Sequence, residues 1–247
     1  MKAMVLAAGV GSRLRPLTDE IPKALLDVGG APMIERVIRR LKSAGVTELV
    51  VNLFHLGDRI VEFLASKGAF GLRIEFTREA ELLDTGGGLR NAAWFFDDDR
   101  PFFLHNVDVL SDIDLAGLLR FHQRAGALAT VAVQSRPSSR QLLFDPAGRL
   151  CGRESPAGVE WAKGPVGDVQ RLAFTGIHAI DPDIFPKMSE TGVFPITRTY
   201  LRLAGEGEKI LAYRADGRYW QDIGSPGQLE EARKREAGRL NVNHVRS

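Results

Sequence analysis

Gly9, Gly11, Arg13, Arg15 and Lys23 crowd into one short stretch of the chain, MVLAAGVGSRLRPLTDEIPKAL at residues 4–25. A backbone without Cβ atoms turns sharply and can present its N–H groups to an anion at close range. Three cations follow in the same loop, so the stretch has the make-up of a cradle for a polyanion. The residues ahead of it, 3–8, are continuously apolar and suit a strand buried on both faces of a parallel sheet. The loop at the carboxyl end of such a strand is where open α/β sheets bind ligands, and a nucleoside triphosphate is the expected one. Two familiar motifs are excluded. The dinucleotide fingerprint needs a third glycine where Leu14 stands, and a P-loop needs a Gly-Lys-Ser/Thr string that is absent.

Further along, Gly86, Gly87 and Gly88 stand directly before a helical pattern at 89–96, a place where backbone comes close to its neighbours and a helix N-terminus favours negative charge. Ligand loop and structural turn are equally good accounts of this segment. Asp108 follows an apolar strand at 102–104. A carboxylate there shares the sheet edge of the glycine loop and is suited to hold Mg²⁺ against phosphates. Asp97, Asp98 and Asp99 form an acidic, solvated turn and receive no catalytic role. His105 and His122 are isolated among apolar residues, as core or surface histidines are. Asp112 and Asp114 suit the cap of a helix at 115–124, and Ser225 with Gln228 a capping box for a helix at 227–237.

These residues need a sheet to position them. A helix at 32–44 carries Ile34, Val37, Ile38 and Leu41 on one face; a strand at 48–53, a helix at 57–67 and a strand at 72–77 complete a βαβαβ order. That order specifies an α/β fold, a Rossmann-like, doubly wound and mostly parallel sheet. Beyond residue 126 come a strand at 127–134, a hairpin at 141–153 turning at Pro146, Ala147 and Gly148, and a strand at 174–181.

The string LAAGVGSRLRPLT followed by PKAL resembles the sugar-1-phosphate nucleotidyltransferases, whose signature runs LAAGxGxRLxPLT and then PKP. The resemblance extends from Met4 to about Ala237 and implies the nucleotide-diphospho-sugar transferase type of fold. It implies transfer of a nucleoside monophosphate from an NTP to a sugar 1-phosphate, with release of pyrophosphate. By that resemblance Leu6, Ala8, Gly9 and Gly11 contact the nucleotide, Arg13 holds the departing pyrophosphate, and Lys23 stabilises the α-phosphate. Asp84, Thr85, Gly86 and Gly87 lie against the base. Asn106 and Asp108 match the family's Asn-Gly-Asp segment, with Val107 in place of the glycine. Asp222, in Trp-Gln-Asp-Ile-Gly, matches the second Mg²⁺ ligand. Thr175 and Gly176 match the strand lining the sugar pocket. The family's Glu-Lys-Pro lysine is missing, and Lys163 is its candidate substitute. Single-domain members that make envelope-precursor nucleotide sugars are the most similar, which slightly favours UTP over GTP as donor. A metal-dependent glycosyltransferase and a catalytically silent regulatory protein are the alternatives. The PKAL lysine argues against the first, and the presence of Lys23, Asp108 and Asp222 against the second.

The whole chain fits this reading. Its 247 residues suit one domain, with a nucleotide-binding half at 1–126 and a sugar-binding half at 127–247. No apolar run approaches the ~20 residues of a membrane span, and a formal charge of +2 argues for neither nucleic acid nor membrane partners. The start at Met1-Lys2-Ala3 has no signal-peptide pattern and Cys151 is alone, as expected of a cytoplasmic protein.

Overall fold

In a computed structural model, which describes residues 1–164 and 167–244, strands and helices alternate through the first half of the chain. They are β1 (Lys2–Leu6), α1 (Leu17–Glu20), α2 (Met33–Ser43), β2 (Glu48–Leu53), α3 (Gly57–Ser66), β3 (Arg73–Arg78), α4 (Asp84–Asn91), β4 (Phe102–Asn106), β5 (Val109–Ser111) and α5 (Leu115–Ala125). Then follow β6 (Ala129–Gln134), β7 (Gln141–Phe144), β8 (Leu150–Ser155), β9 (Gly158–Trp161), β10 (Gln170–Ile180), α6 (Ile196–Gly205), β11 (Ile210–Arg214), β12 (Trp220–Asp222) and α7 (Pro226–His244).

The central sheet runs β3-β2-β1-β4-β10-β6-β11, with β10 antiparallel to its neighbours and the other pairings parallel. It is the mostly parallel α/β sheet that the element order specifies. Successive residues of β1 point to opposite faces, as a strand requires. Met4 joins a core with Leu89, Ile196 and Tyr200 from α4 and α6, while Ala3 and Val5 join one with Ile34, Ile60 and Leu118 from α2, α3 and α5. Helices on both faces explain why β1 has no polar side.

Two features depart from a simple doubly wound sheet. β10 is long enough to serve three neighbours, pairing β4 through residues 177–180, β6 through residues 173–180 and β7 through residues 170–172. Its early part thereby extends the sheet into the β7–β8–β9 arm. A register shift between Phe174 and His178 contains Gly176 at φ +76° and bends the strand beside the end of β4. Separately, β5 and β12 form a short antiparallel ladder.

Three histidines are sealed inside. His178 Nδ1 lies 2.9 Å from Tyr200 Oη, His122 Nδ1 lies 3.0 Å from Thr130 Oγ1, and His105 Nδ1 lies 2.7 Å from Asn106 O. Burial pushes His105 and His122 down to about 4 and His178 down to about 3. Each is therefore neutral in the fold but takes up a proton near its ordinary value when the chain unfolds. Their contribution is present above about pH 6.5 and is lost as the pH falls toward 4. Urea unfolding followed from pH 7 down to 4.5 should show stability falling across that window, while the three imidazole resonances keep their neutral positions at pH 5.

Candidate active site

The site begins where β1 ends. Ala7 N donates to Asn52 Oδ1 at 2.7 Å, which fixes the chain as it leaves the sheet. At Gly9 an added Cβ would meet nothing within 4 Å, so the missing side chain leaves open space. Gly11 is a glycine for another reason: its φ is +65°, and a Cβ there would sit 2.8 Å from Thr18 Cγ2. Leu14 of the following turn is buried with Leu26, Val28, Met33, Leu110, Ile223, Leu229 and Ala232. This small core ties the glycine loop to β5, to the end of β12 and to α7.

Lys23 opens a 3-10 turn in which Ala24 is fully buried, and its ammonium is ion-paired with Asp108 Oδ2. The pair is largely shielded, with side-chain exposures of 12% for Lys23 and 24% for Asp108. Asp108 lies in the turn between β4 and β5, preceded by Val107, whose N–H donates to Leu6 O at 3.1 Å. Asp222 stands opposite Val109 in the β5–β12 ladder, and Ile223 N donates to Asp108 O at 3.0 Å. Residues more than a hundred positions apart are thus neighbours across one short ladder. Asp222 Oδ1 accepts from Gly224 N at 2.9 Å. A Cβ at Gly224 would lie 2.6 Å from Arg13 Nη2 and 3.0 Å from Asp222 Oδ1, so the glycine lets Arg13 and the carboxylate approach the same point.

Beside this cluster lies a cavity of ≈ 310 Å³, lined by residues that include Leu6, Ala8, Gly9, Lys23, Asn106 and Asp108 together with Leu82, Asp84, Thr85 and Val193. The start of α4 differs from the sequence expectation. The glycines do not precede a helix at 89–96; α4 begins at Asp84 and ends at Asn91, so Gly86, Gly87 and Gly88 are inside it and buried. The physical reason is contact with the segment before α6. A Cβ at Gly86 would fall 2.4 Å from Phe194 Cε2, one at Gly87 would fall 2.6 Å from Gly192 O, and both N–H groups donate to Phe194 O. Asp84 and Thr85 reach the cavity, whereas Gly86 and Gly87 pack behind it.

The other expected positions divide similarly. Gly176 faces Asn106, whose Nδ2 would lie 2.8 Å from a Cβ at that glycine. Thr175 is fully buried, and its hydroxyl donates to Ala132 O at 2.8 Å. Lys163 is not brought to the cluster. It lies near the carboxyl end of α6, with Nζ 3.8 Å from the Cβ position at Gly207, while the amino end of α6 is the one bonded to Thr85. Of the acidic run, Asp97 pairs with Lys2 and Asp98 lies 3.9 Å from it. Asp114 caps α5 by accepting from Gly117 N at 2.8 Å, but Asp112 accepts from Tyr219 N instead. Ser225 Oγ donates to Gln228 Oε1 at 2.8 Å at the start of α7.

Two residues escaped the sequence reading. Asn52 Nδ2 donates to Glu79 Oε1 at 2.7 Å, and Glu79 Oε2 accepts from Leu83 N at 3.0 Å. Buried polar groups persist only when paired. Asn52 and Glu79 therefore brace the loop after β1 against the loop before α4, on both sides of the cavity. The available signal was a lone polar residue near the end of the apolar run Leu49-Val50-Val51.

Fold and site together bring a glycine loop, Arg13, Lys23 and two aspartates beside one cavity at the carboxyl end of β1 in a mostly parallel sheet. Residues 2–144 match the nucleotidyl transferase family. N-acetylmuramate alpha-1-phosphate uridylyltransferase of Neisseria meningitidis is 34% identical over 233 residues, covering 94% of this chain and 96% of that protein. Mannose-1-phosphate guanyltransferase of Aspergillus fumigatus is 30% identical over 231 residues, covering 92% of this chain but 61% of that longer protein. Among solved structures, a putative glucose-1-phosphate thymidylyltransferase from Bacillus anthracis superposes with a TM-score of 0.80 at 23% identity, covering 96% of this chain and 95% of that one. UDP-glucose pyrophosphorylase from Acinetobacter baumanii gives 0.79 at 18% identity, covering 100% and 99%. The chain belongs to the nucleotidyl transferase family, among its sugar-1-phosphate nucleotidyltransferases.

Replacing Asn52 by alanine leaves Ala7 N without its acceptor and Glu79 without one of its donors. The expected loss is about 1–3 kcal/mol in urea unfolding, accompanied by weaker nucleotide binding because the loop after β1 is no longer braced.

Proposed function

We propose that this chain transfers a nucleoside monophosphate from an NTP to a sugar 1-phosphate, releasing pyrophosphate. The observation that carries the reading is the convergence of Lys23, Asp108, Asp222 and Arg13 around the loop that follows β1, beside the cavity. A sugar phosphate oxygen attacks the α-phosphorus, a new P–O bond forms, the α–β bond breaks, and pyrophosphate leaves with the electron pair. Both reactants are anions, so the protein's task is charge neutralisation and alignment rather than supplying a nucleophile.

Lys23 would stabilise charge on the α-phosphate, and Arg13 would hold the departing pyrophosphate. The open backbone at Gly9 lets the phosphates lie close to the chain. Asp108 and Asp222 supply the hard oxygen donors that Mg²⁺ prefers, and a pair of carboxylates suits a metal whose remaining positions belong to phosphate and water. Such an ion would neutralise phosphate charge and orient the α-phosphate. Lys23 would have to exchange Asp108 for a phosphate oxygen as the metal-bound nucleotide enters. Asp84 and Thr85 are assigned to the base end of the cavity. The uridylyltransferase similarity, spanning nearly the full length of both proteins, favours UTP over GTP.

A matrix of the four NTPs against mannose, glucose and N-acetylmuramate 1-phosphates, scored by Mg²⁺-dependent pyrophosphate release, tests the reading. Turnover with UTP and one of these sugars is expected; release with none of them overturns it. Lys23→Ala should lower kcat by about 10²–10³, and a change confined to KM would leave Lys23 as a binding residue alone. Asp108→Asn should abolish the Mg²⁺-dependent release.

A further inference from the structure

The proposed reaction brings a second anion, the sugar phosphate, to the same metal and α-phosphate. Lys23 and Arg13 are taken up by the nucleotide, and Lys163 lies elsewhere. A cation is still needed on the other side of the α-phosphate, and the end of β6 beside the bulge of β10 offers one.

Arg136 stands there, two residues beyond β6. Its guanidinium carbon lies 3.6 Å from the centre of the Trp220 ring, a cation–π stack. Nη2 donates to Phe174 O at 2.9 Å, at the bulge of β10. Trp220 is itself pinned, with Nε1 donating to Thr175 O at 2.7 Å. One face and one corner of the guanidinium are therefore fixed by the protein. Nε is buried without an acceptor, and Nη1 makes no hydrogen bond to the described residues. Burial lowers the guanidinium's pKa from its ordinary value, and the nearby Asp222 charge opposes that fall.

We propose that Arg136 binds the phosphate of the sugar 1-phosphate, its fork held by Trp220 and Phe174 O so that Nη1 meets a phosphate oxygen beside Asp222. The inference rests on the nucleotidyl-transfer reading. The attacking oxygen must come to about 3–3.5 Å from the α-phosphorus. An ion held partly by Asp222 would therefore place the sugar phosphate next to the residue that already interacts with Arg136. Arginine suits this position better than lysine because its planar fork stacks on an aromatic ring while its edge remains available to a phosphate. Trp220 would thereby position the sugar through Arg136 while its neighbour Asp222 holds the metal, so β12 serves both substrates.

The stack and the bond to Phe174 O could also serve only to hold β12 in place, and steady-state kinetics separate the two roles. The assay uses UTP with N-acetylmuramate 1-phosphate, or whichever pair the matrix shows to turn over. Arg136→Gln should raise KM for the sugar 1-phosphate at least tenfold and leave KM for the NTP within twofold. Arg136→Lys, which keeps the charge but loses the fork, should recover part of that loss. An unchanged sugar-phosphate KM, or a parallel rise in both KM values with a lowered melting temperature, would overturn the proposal. Should Arg136→Gln not fold, Arg136→Lys carries the test alone through the same split between the two KM values. A wild-type protein that releases no pyrophosphate with any pair removes the functional reading, and this inference with it. An active wild type with an unaffected Arg136→Gln removes the inference alone.

Discussion

The site depends on the ion pair between Lys23 and Asp108, which joins the first loop of the chain to the turn after β4. The backbones of Asp108 and Asp222 are neighbours at the β5–β12 ladder, with Asp222 opposite Val109 and Ile223 N bonded to Asp108 O. Lys23 supplies the positive charge that Asp108 pairs with. A pair this shielded is costly to break from one side only, because the remaining partner is left charged and partly buried. The proposed incoming ligand replaces both halves at once, with phosphate for the lysine and a cation for the aspartate, so neither charge is ever left alone.

Holding that pair in place is a matter of packing between distant parts of the chain. The small core of Leu14, Leu26, Val28, Met33, Leu110, Ile223, Leu229 and Ala232 draws on the glycine loop, α2, β5, the end of β12 and α7. Arg36 and Glu236 form an ion pair at 2.7 Å across the same contact between α2 and α7. The β5–β12 ladder and the bond from Ile223 N to Asp108 O join the two segments, and Ile223 and Leu229 pack with Leu14 of the first loop to anchor them. The late Trp-Gln-Asp-Ile-Gly segment thus combines, in five residues, Ile223 as a packing anchor and Asp222 as the proposed metal ligand.

The elements legible in the sequence are those whose signals are local. β2 has the predicted bounds, α2 and α3 lie within a residue of theirs, and Asp114 and Ser225 cap the helices they were expected to cap. Periodicity and capping chemistry are set by neighbours in the chain, so they survive folding unchanged. The failures are non-local. Each glycine in a helix interior costs about 1 kcal/mol relative to alanine, so propensity alone places α4 after Gly88. The close approach of Gly192 and Phe194, which only glycines permit, pulls its start back to Asp84. Pairing of β10 with both β6 and β7 depends on strand order, which alternation of apolar residues does not encode. Lys163 matched a residue type without a position, and the packing of α6 took it away from the cluster. Arg136 stood in a polar loop sequence, and only the fold brought it onto Trp220.

In the proposed reaction, the charge placement around Asp222 offers the two substrates different cations. Arg13 approaches Gly224 from the glycine loop, and Arg136 lies on Trp220 beneath the bulge of β10. Gly224 and Trp220 lie two residues to either side of Asp222 in sequence, and each is in contact with a different arginine. In the proposed reaction the pyrophosphate and the sugar phosphate lie on opposite sides of the α-phosphorus, as in-line displacement requires. An arrangement with both arginines on one side would hold the leaving group twice and the attacking group not at all. Antiparallel pairing of β12 with β5 fixes which way the strand runs past Asp108, with Trp220 opposite Ser111 and Asp222 opposite Val109.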